Sequence, residues 1–405
     1  MIKSAFMWRT VAVGCLAAIV TLSFGRLSYG VVMPFMQKGL ALTYVQAGGL
    51  GTACSLGYVL IVAFAGPLAS RLGSKFVITT GVSVVCAGLI SLTFVQSFAF
   101  AAVLMIIIGV GTALTYTPMI ALLINWFPAY RGLVTGVISS AIGFGTVLTG
   151  VSVPFLVTLD PENGWRMTWE AFGLAGLLVA ILCIAFLRNP PQSKNPGSVS
   201  VSGARSFYFR KDIIFIGLTY FLVGFSNIIP TTYNMAFMLN SGLVKETAGI
   251  IIAVGGILSL ISGPLWGTLS DRQGRKTILT ILLILTATTT IIPAIQPNLL
   301  TYTISAIIGG LTISGLFGQV LARVSELVDP IQVPATLSYV TLFFGTGLFI
   351  SPSLAGWIIQ MQGDFRLTYI IAGVVLIPGV LFNQAVPETG EVTPATITGQ
   401  HLVKE

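Results

Sequence analysis

Twelve stretches of roughly 20 mostly apolar residues follow one another along the 405-residue chain, and nothing else in the sequence narrows the fold so far. A run of that length is long enough to cross a bilayer as a helix. In hydrocarbon a helix is the simplest way to satisfy every backbone N–H and C=O. Breaks at charged residues and at Pro, Gly or Asn clusters place the spans near 10–36, 45–69, 76–95, 98–126, 132–158, 168–188, 213–238, 246–269, 277–293, 299–324, 335–360 and 367–386. The span at 277–293 is short and threonine-rich. Only 8% of residues are charged, about a third of the share in a soluble protein, and mean hydropathy is +0.95. The chain therefore reads as an all-α membrane protein of twelve transmembrane helices.

The segment 188–212, "RNPPQSKNPGSVSVSGARSFYFRKD", is the longest polar connection and divides the helices six and six. This predicts an N-terminal bundle over 1–188, a cytoplasmic linker over 189–212, a C-terminal bundle over 213–386 and a cytoplasmic tail over 387–405. The start of the chain has the charged head and apolar run of a signal peptide, but its apolar stretch continues past Gly30 to Phe35 and contains Arg26. An uncleaved first helix is the better reading.

With both ends placed in the cytoplasm, Lys38, Arg166, Lys245 and Arg366 fall on the far side; Arg26 falls within a helix, and the other fifteen Lys and Arg fall on the cytoplasmic side. That bias sets the orientation and explains the net charge of +8 through topology, with no nucleic-acid partner. The lipid bilayer and a small-molecule substrate are the expected partners, and a monomer is the expected state. Cys15, Cys54, Cys86 and Cys183 all lie in apolar segments without metal-ligand spacing and read as packing residues. The single histidine, His401, is in the tail, so no histidine relay runs through the membrane. No phosphate-binding loop, dinucleotide fingerprint, metal cluster or intramembrane nucleophile–base pair is present. No enzyme, no cofactor and no metal is expected, and energy would come from gradients.

The two halves carry an internal repeat. "GPLASRLGSK" at 66–75 matches "GTLSDRQGRK" at 267–276, offset by 201, while "WRMTW" at 165–169 matches "FRLTY" at 365–369 and "FGT" at 144–146 recurs at 344–346, each offset by 200. The pattern suits two copies of one six-helix unit. "GTLSDRQGRK" resembles the loop signature between helices eight and nine of the major facilitator superfamily. The first-half copy keeps Gly66, Arg71, Gly73 and Lys75 but has Ser70 in the acidic position and Ser74 in a basic one. Within the superfamily "GRLSYGVVMPFMQ", "NWFPAYRGLVTG", "NGWRMTW" and "SGPLWGTLSDRQGRK" are similar to a bacterial branch usually labelled YbfB/YjiJ, and more distantly to oxalate/formate and monocarboxylate carriers. The resemblance implies the major facilitator fold, with two pseudo-symmetric six-helix bundles, in a bacterial inner membrane.

The resemblance also gives the signature loop a gating role. Asp271, Arg272 and Arg275 would latch the outward-facing state, with Asp271 accepting from the exposed N–H groups at the start of helix five, near Pro128 to Gly132. Arg131 and Arg323 are candidate partners, and Arg71 is the first-half counterpart. The competing reading is that these are positive-inside anchors in a solvated loop. With Ser70 in place of an acid, the first-half latch should be weaker. Drug antiporters of the superfamily carry a Gly-Pro signature on helix five. This chain has Gly136, Gly143, Gly145 and Gly150 there but no Gly-Pro pair, which counts against proton-driven drug export.

Arg26 is the one charged residue between Val11 and Phe35. An arginine at the bilayer centre costs about 2.5–3.5 kcal/mol and keeps its proton. All twelve acids fall in loops, at helix ends or in the tail, with Glu170, near the outer end of helix six, the one whose depth the structure must decide. Arg26 thus lacks a carboxylate at its depth. It is either bonded to carbonyls or hydroxyls at a helix crossing, or it faces a central cavity and pairs with an anionic cargo. Since the superfamily lines its cavity with helices 1, 4, 7 and 10, Tyr29, Tyr116, Asn227 and Tyr233 join Arg26 as expected substrate contacts. The expectation is a secondary transporter for a small organic anion, most simply a carboxylate, working by alternating access. Efflux of hydrophobic or drug-like compounds is the alternative. A sensor that has lost transport, or a channel, finds no support in the short polar tail or in any ring of charges.

Overall fold

The computed structural model describes residues 2–127, 130–190, 210–328 and 332–387, apart from a few side chains. Most of the expected linker and nearly all of the expected tail lie outside the described residues. Twelve helices long and apolar enough to cross a membrane are present among those described. We number them α1 (Ile2–Gly39, in three pieces), α2 (Tyr44–Leu72), α3 (Ser74–Leu92), α4 (Phe98–Trp126), α5 (Arg131–Leu159), α6 (Gly164–Phe186), α7 (Lys211–Asn240), α8 (Lys245–Gln273), α9 (Arg275–Ile295), α10 (Leu299–Glu326), α11 (Val333–Gln362) and α12 (Arg366–Val374 and Leu376–Ala385). The threonine-rich span is thus a full helix, α9, whose threonines bond back to carbonyls three or four residues earlier, as Thr286 does to Leu282 at 2.8 Å. The break in α12 follows from Pro378, which cannot donate to the carbonyl of residue 374.

The repeat is visible in local geometry. Gly73 ends α2 at φ +91° and Gly274 ends α8 at φ +85°, so each signature loop turns through one glycine in a conformation that side chains resist. Ser97 caps α4 and Asn298 caps α10, each accepting from an N–H three residues on. Trp165 and Trp169 at the start of α6 and Phe365 and Tyr369 at the start of α12 are all fully buried.

The halves meet closely at one end of the bundle. This is the end away from the signature loops. A methyl group on Gly30 of α1 would lie 1.8 Å from the Thr231 carbonyl oxygen of α7, and one on Gly48 of α2 would lie 2.2 Å from the Pro352 carbonyl oxygen of α11. On the other flank a methyl on Gly249 of α8 would lie 2.1 Å from the Gly150 carbonyl oxygen of α5. Small residues here let backbones touch. Hydrogen bonds follow the same seam: Thr52 to Ser353 at 2.8 Å, and Thr158 to Glu246 at 2.9 Å. At the signature-loop end the helices separate. Gly66, Gly132, Gly136, Gly263 and Gly267 have open space where a side chain would begin. The molecule is closed at one end and open at the end bearing both signature loops.

Candidate functional site

The site is built around a change in helix type within α1. Between Ala18 and Tyr29 the helix widens into a π-helical segment, Ile19–Leu27, closed by the Ser28 N–H donating to the Ser23 carbonyl five residues back at 2.8 Å. Such segments are rare and concentrate at functional positions. Several local bonds absorb the change. Thr21 donates to the Ala17 carbonyl at 2.8 Å, and Ser23 leaves its own helix to donate to the Ile142 carbonyl of α5 at 2.9 Å. Thr112 of α4 donates to the Thr21 carbonyl at 3.0 Å. Arg26 sits in the last turn of this segment.

The Arg26 guanidinium lies over the ring of Tyr58, 4.8 Å from its centroid. The Tyr58 hydroxyl lies near the Thr117 side chain of α4. Among the described residues no carboxylate, carbonyl or hydroxyl accepts from Arg26, so the structure does not show the reading in which it is bonded to backbone at a helix crossing. A ring on its face leaves the in-plane N–H donors of the guanidinium available, and those form the planar fork that fits a carboxylate. Glu170 is exposed on the second turn of α6, so it supplies no acid at this depth.

Tyr116 of α4 and Tyr220 of α7 both lie within electrostatic reach of Tyr58, and Tyr220 is buried in the core of the C-terminal half. Tyr220 stacks on Phe344 of α11, with centroids 4.5 Å apart and planes at 21°, and Phe317 of α10 stands edge-on to Phe344 at 5.4 Å. Toward the closed end, Arg26, Tyr29, Gly51, Cys54, Thr231 and Thr232 help to line a small void of about 20 Å³, room for a single water.

The expected site residues separate into groups. Arg26 and Tyr116 come together. Tyr29 borders the small void, but its ring is buried and its hydroxyl donates to the Ala47 carbonyl at 2.6 Å, which ties α1 to α2. Asn227 is half-buried on α7, one turn before Thr231. Tyr233 does not face the cavity: it is fully buried in the seam and donates to the Pro352 carbonyl of α11 at 2.9 Å. Its position near the closed end of α7 places it where the halves touch. Tyr58 and Phe344 had no distinguishing signal, since neither helix 2 nor helix 11 was expected to line the cavity. Tyr220 was likewise not among the expected contacts.

The gating residues are likewise sorted by the open end. Asp271 at the end of α8 pairs with Arg275 at the start of α9, across the Gly274 turn, at 3.8 Å, and Arg275 pairs with Glu326 at the end of α10; both pairs stay within the C-terminal half. Arg272 and Arg71 are exposed. Arg323 is buried and donates to the Val386 and Pro387 carbonyls at 3.0 and 3.1 Å, holding the end of α12. Arg131 begins α5, but its side chain lies outside the described residues, as does Pro128.

Residues 18–384 match the family described as "Uncharacterised MFS-type transporter YbfB". The Bacillus subtilis hexuronate transporter is 24% identical over 372 residues, covering 86% of this chain and 87% of that one. Monocarboxylate transporter 13 of Bos taurus is 25% identical over 381 residues, covering 88% and 84%. Among solved structures, a D-xylose–proton symporter superposes with a TM-score of 0.79 at 17% identity, covering 95% of this chain and 99% of that one. A bacterial homologue of the lysosomal transporter Spinster, described as inward-facing and unoccupied, superposes with a TM-score of 0.78 at 18% identity, covering 94% and 96%. These two likenesses concern the fold alone. The chain belongs to the YbfB-type family of the major facilitator superfamily and is a multi-pass secondary transporter, not an enzyme.

Proposed function

We propose that the cargo is a small organic anion, most simply a carboxylate, held by Arg26 at the centre of the membrane. The observation that carries this reading is the guanidinium seated on Tyr58 with no partner for its in-plane donors among the described residues. A permanent cation at this depth is costly, and an anion arriving from water would offset that cost when it binds. The hexuronate and monocarboxylate relatives, by their names, move carboxylate-bearing solutes, which supports the same class.

The positive-inside bias orients the signature loops toward the cytoplasm, with both termini on that side and an inner-membrane location. The closed seam at the far end and the separated helices near the loops then correspond to an inward-open state. Binding would draw the halves together at the cytoplasmic end around Arg26 and part them at the Gly30, Gly48 and Gly249 contacts. In that outward-facing state Asp271 would be free to meet the start of α5. With no acid at the depth of Arg26 among the described residues, the reading favours uniport, exchange, or symport of a proton together with the anion. One observation favours the alternative of hydrophobic efflux: Phe317 and Phe344 form a half-buried apolar cluster on the C-terminal half.

The test is stabilisation of purified protein against heat by a panel of carboxylates and their neutral analogues, in wild type, Arg26→Gln and Arg26→Lys. Wild type should respond to acids and not to amides. Arg26→Gln should need about tenfold or more acid for the same response, as for loss of a charge-assisted bond. Arg26→Lys should recover only part of it, because it keeps the charge without the fork. Equal stabilisation of wild type and Arg26→Gln by neutral or cationic compounds would replace this reading with efflux.

A further inference from the structure

The central site has two chemically different walls, and they belong to different halves. On the N-terminal side stand Arg26, Tyr58 and Tyr116; on the C-terminal side stand Tyr220, Phe317 and Phe344. The two walls are at one level of the membrane. A methyl on Gly345, next to Phe344, would lie 2.8 Å from the Val59 side chain, and Val59 is next to Tyr58. Helices α2 and α11 therefore touch just where the cation–ring pair and the stacked pair begin. An isolated aromatic on a membrane helix is unremarkable packing. Here Tyr220, buried in the C-terminal core, stacks on Phe344 at 21° with Phe317 edge-on, and Phe344 and Phe317 are the half-buried rings of the group.

We infer that the cargo is an aromatic carboxylate, its carboxylate on Arg26 and its ring against the Tyr220–Phe344–Phe317 wall. This rests on the anion reading above and adds the body to the head. A planar ring extending from a carboxylate on Arg26 crosses from one half to the other, so one rigid molecule contacts both walls at once. That is the contact a cargo needs if binding is to bias the closing of the two halves. A short aliphatic acid satisfies Arg26 but leaves the ring wall bare.

The experiment uses the full-length protein at constant ionic strength and pH 7. Heat stabilisation is titrated with benzoate, phenylacetate, cyclohexanecarboxylate and butyrate in wild type, Phe344→Leu, Phe317→Leu and Arg26→Gln. In wild type, benzoate and phenylacetate should reach half-effect at a concentration about three- to tenfold lower than cyclohexanecarboxylate. Either leucine variant should erase that ratio while moving butyrate by less than about twofold. Two variants are included so that misfolding of one leaves the other to decide. Equal potency of benzoate and cyclohexanecarboxylate in wild type, or a ratio that survives both leucine variants, would overturn the aromatic subsite; the anion reading would still stand if Arg26→Gln weakens every acid. If no acid stabilises wild type, or Arg26→Gln binds them all unchanged, the anion reading fails and takes this inference with it.

Discussion

The two signature loops share a turn and differ in everything that surrounds it. Gly73 and Gly274 hold nearly the same backbone conformation, φ +91° and +85°. Around Gly274, Asp271, Arg275 and Glu326 form a chain of ion pairs from α8 to α10. Shifted by the repeat offset of 201, those three positions are Ser70, Ser74 and Asn125. Ser70 simply donates to the Pro67 carbonyl of its own helix at 2.7 Å. In place of the ion pairs, Asn189 beyond α6 accepts from the Lys75 N–H at 2.8 Å and lies against Gly73. The lesson is that a one-residue turn between two spans demands glycine for steric reasons in both copies. The charges above it are free to diverge, because no backbone geometry depends on them.

The comparison can be broken or sharpened by substitution, each measured as stability of the purified protein to denaturant. Gly73→Ala should have the largest effect, about 2–3 kcal/mol. It combines a strained backbone with a methyl placed 2.6 Å from the Asn189 amide nitrogen. Gly274→Ala has the same backbone strain but open space, so a smaller loss of about 1–2 kcal/mol is expected. Equal losses would mean that the Asn189 contact yields without cost. Arg275→Gln removes a partly exposed ion pair to Glu326 and should cost about 0.5–1 kcal/mol, shrinking further in high salt. Smallest of all, the double change Ser70→Asp with Ser74→Arg should gain under about 0.5 kcal/mol, since it restores only an exposed pair across the Gly73 turn. Adding Asn125→Glu should raise that gain toward the value lost in Arg275→Gln. If the triple change adds nothing, the ends of α2 and α4 are positioned differently from those of α8 and α10.

A second contrast runs along the seam. At the closed end, Gly30, Gly48 and Gly249 each bring a backbone carbonyl of the other half too near for any side chain. At the open end, Gly132, Gly136, Gly263 and Gly267 meet nothing. Both sets read alike in the sequence, as glycines on membrane helices. Only the placement of the halves distinguishes glycines in contact from glycines that face open space.

The sequence by itself determined what depends on local free energy. The number of spans follows from the hydrocarbon thickness and the need to satisfy backbone groups, so even the threonine-rich α9 was legible. The repeat was legible because equivalent turns and caps need equivalent residues, as at Gly73 and Gly274. Arg26 was legible as an anomaly because its solvation cost does not depend on its neighbours. What the tertiary structure decided is which polar groups found partners. Tyr233 and Arg323 carry polar ends like those of Tyr116 and Arg272, yet the first two are buried against carbonyls of Pro352, Val386 and Pro387. Tyr58 became the seat of Arg26 because the packing of α2 beside the π-helical turn of α1 brought them together. Those outcomes rest on contacts between residues far apart in the chain, and no local pattern records which of several similar side chains will meet.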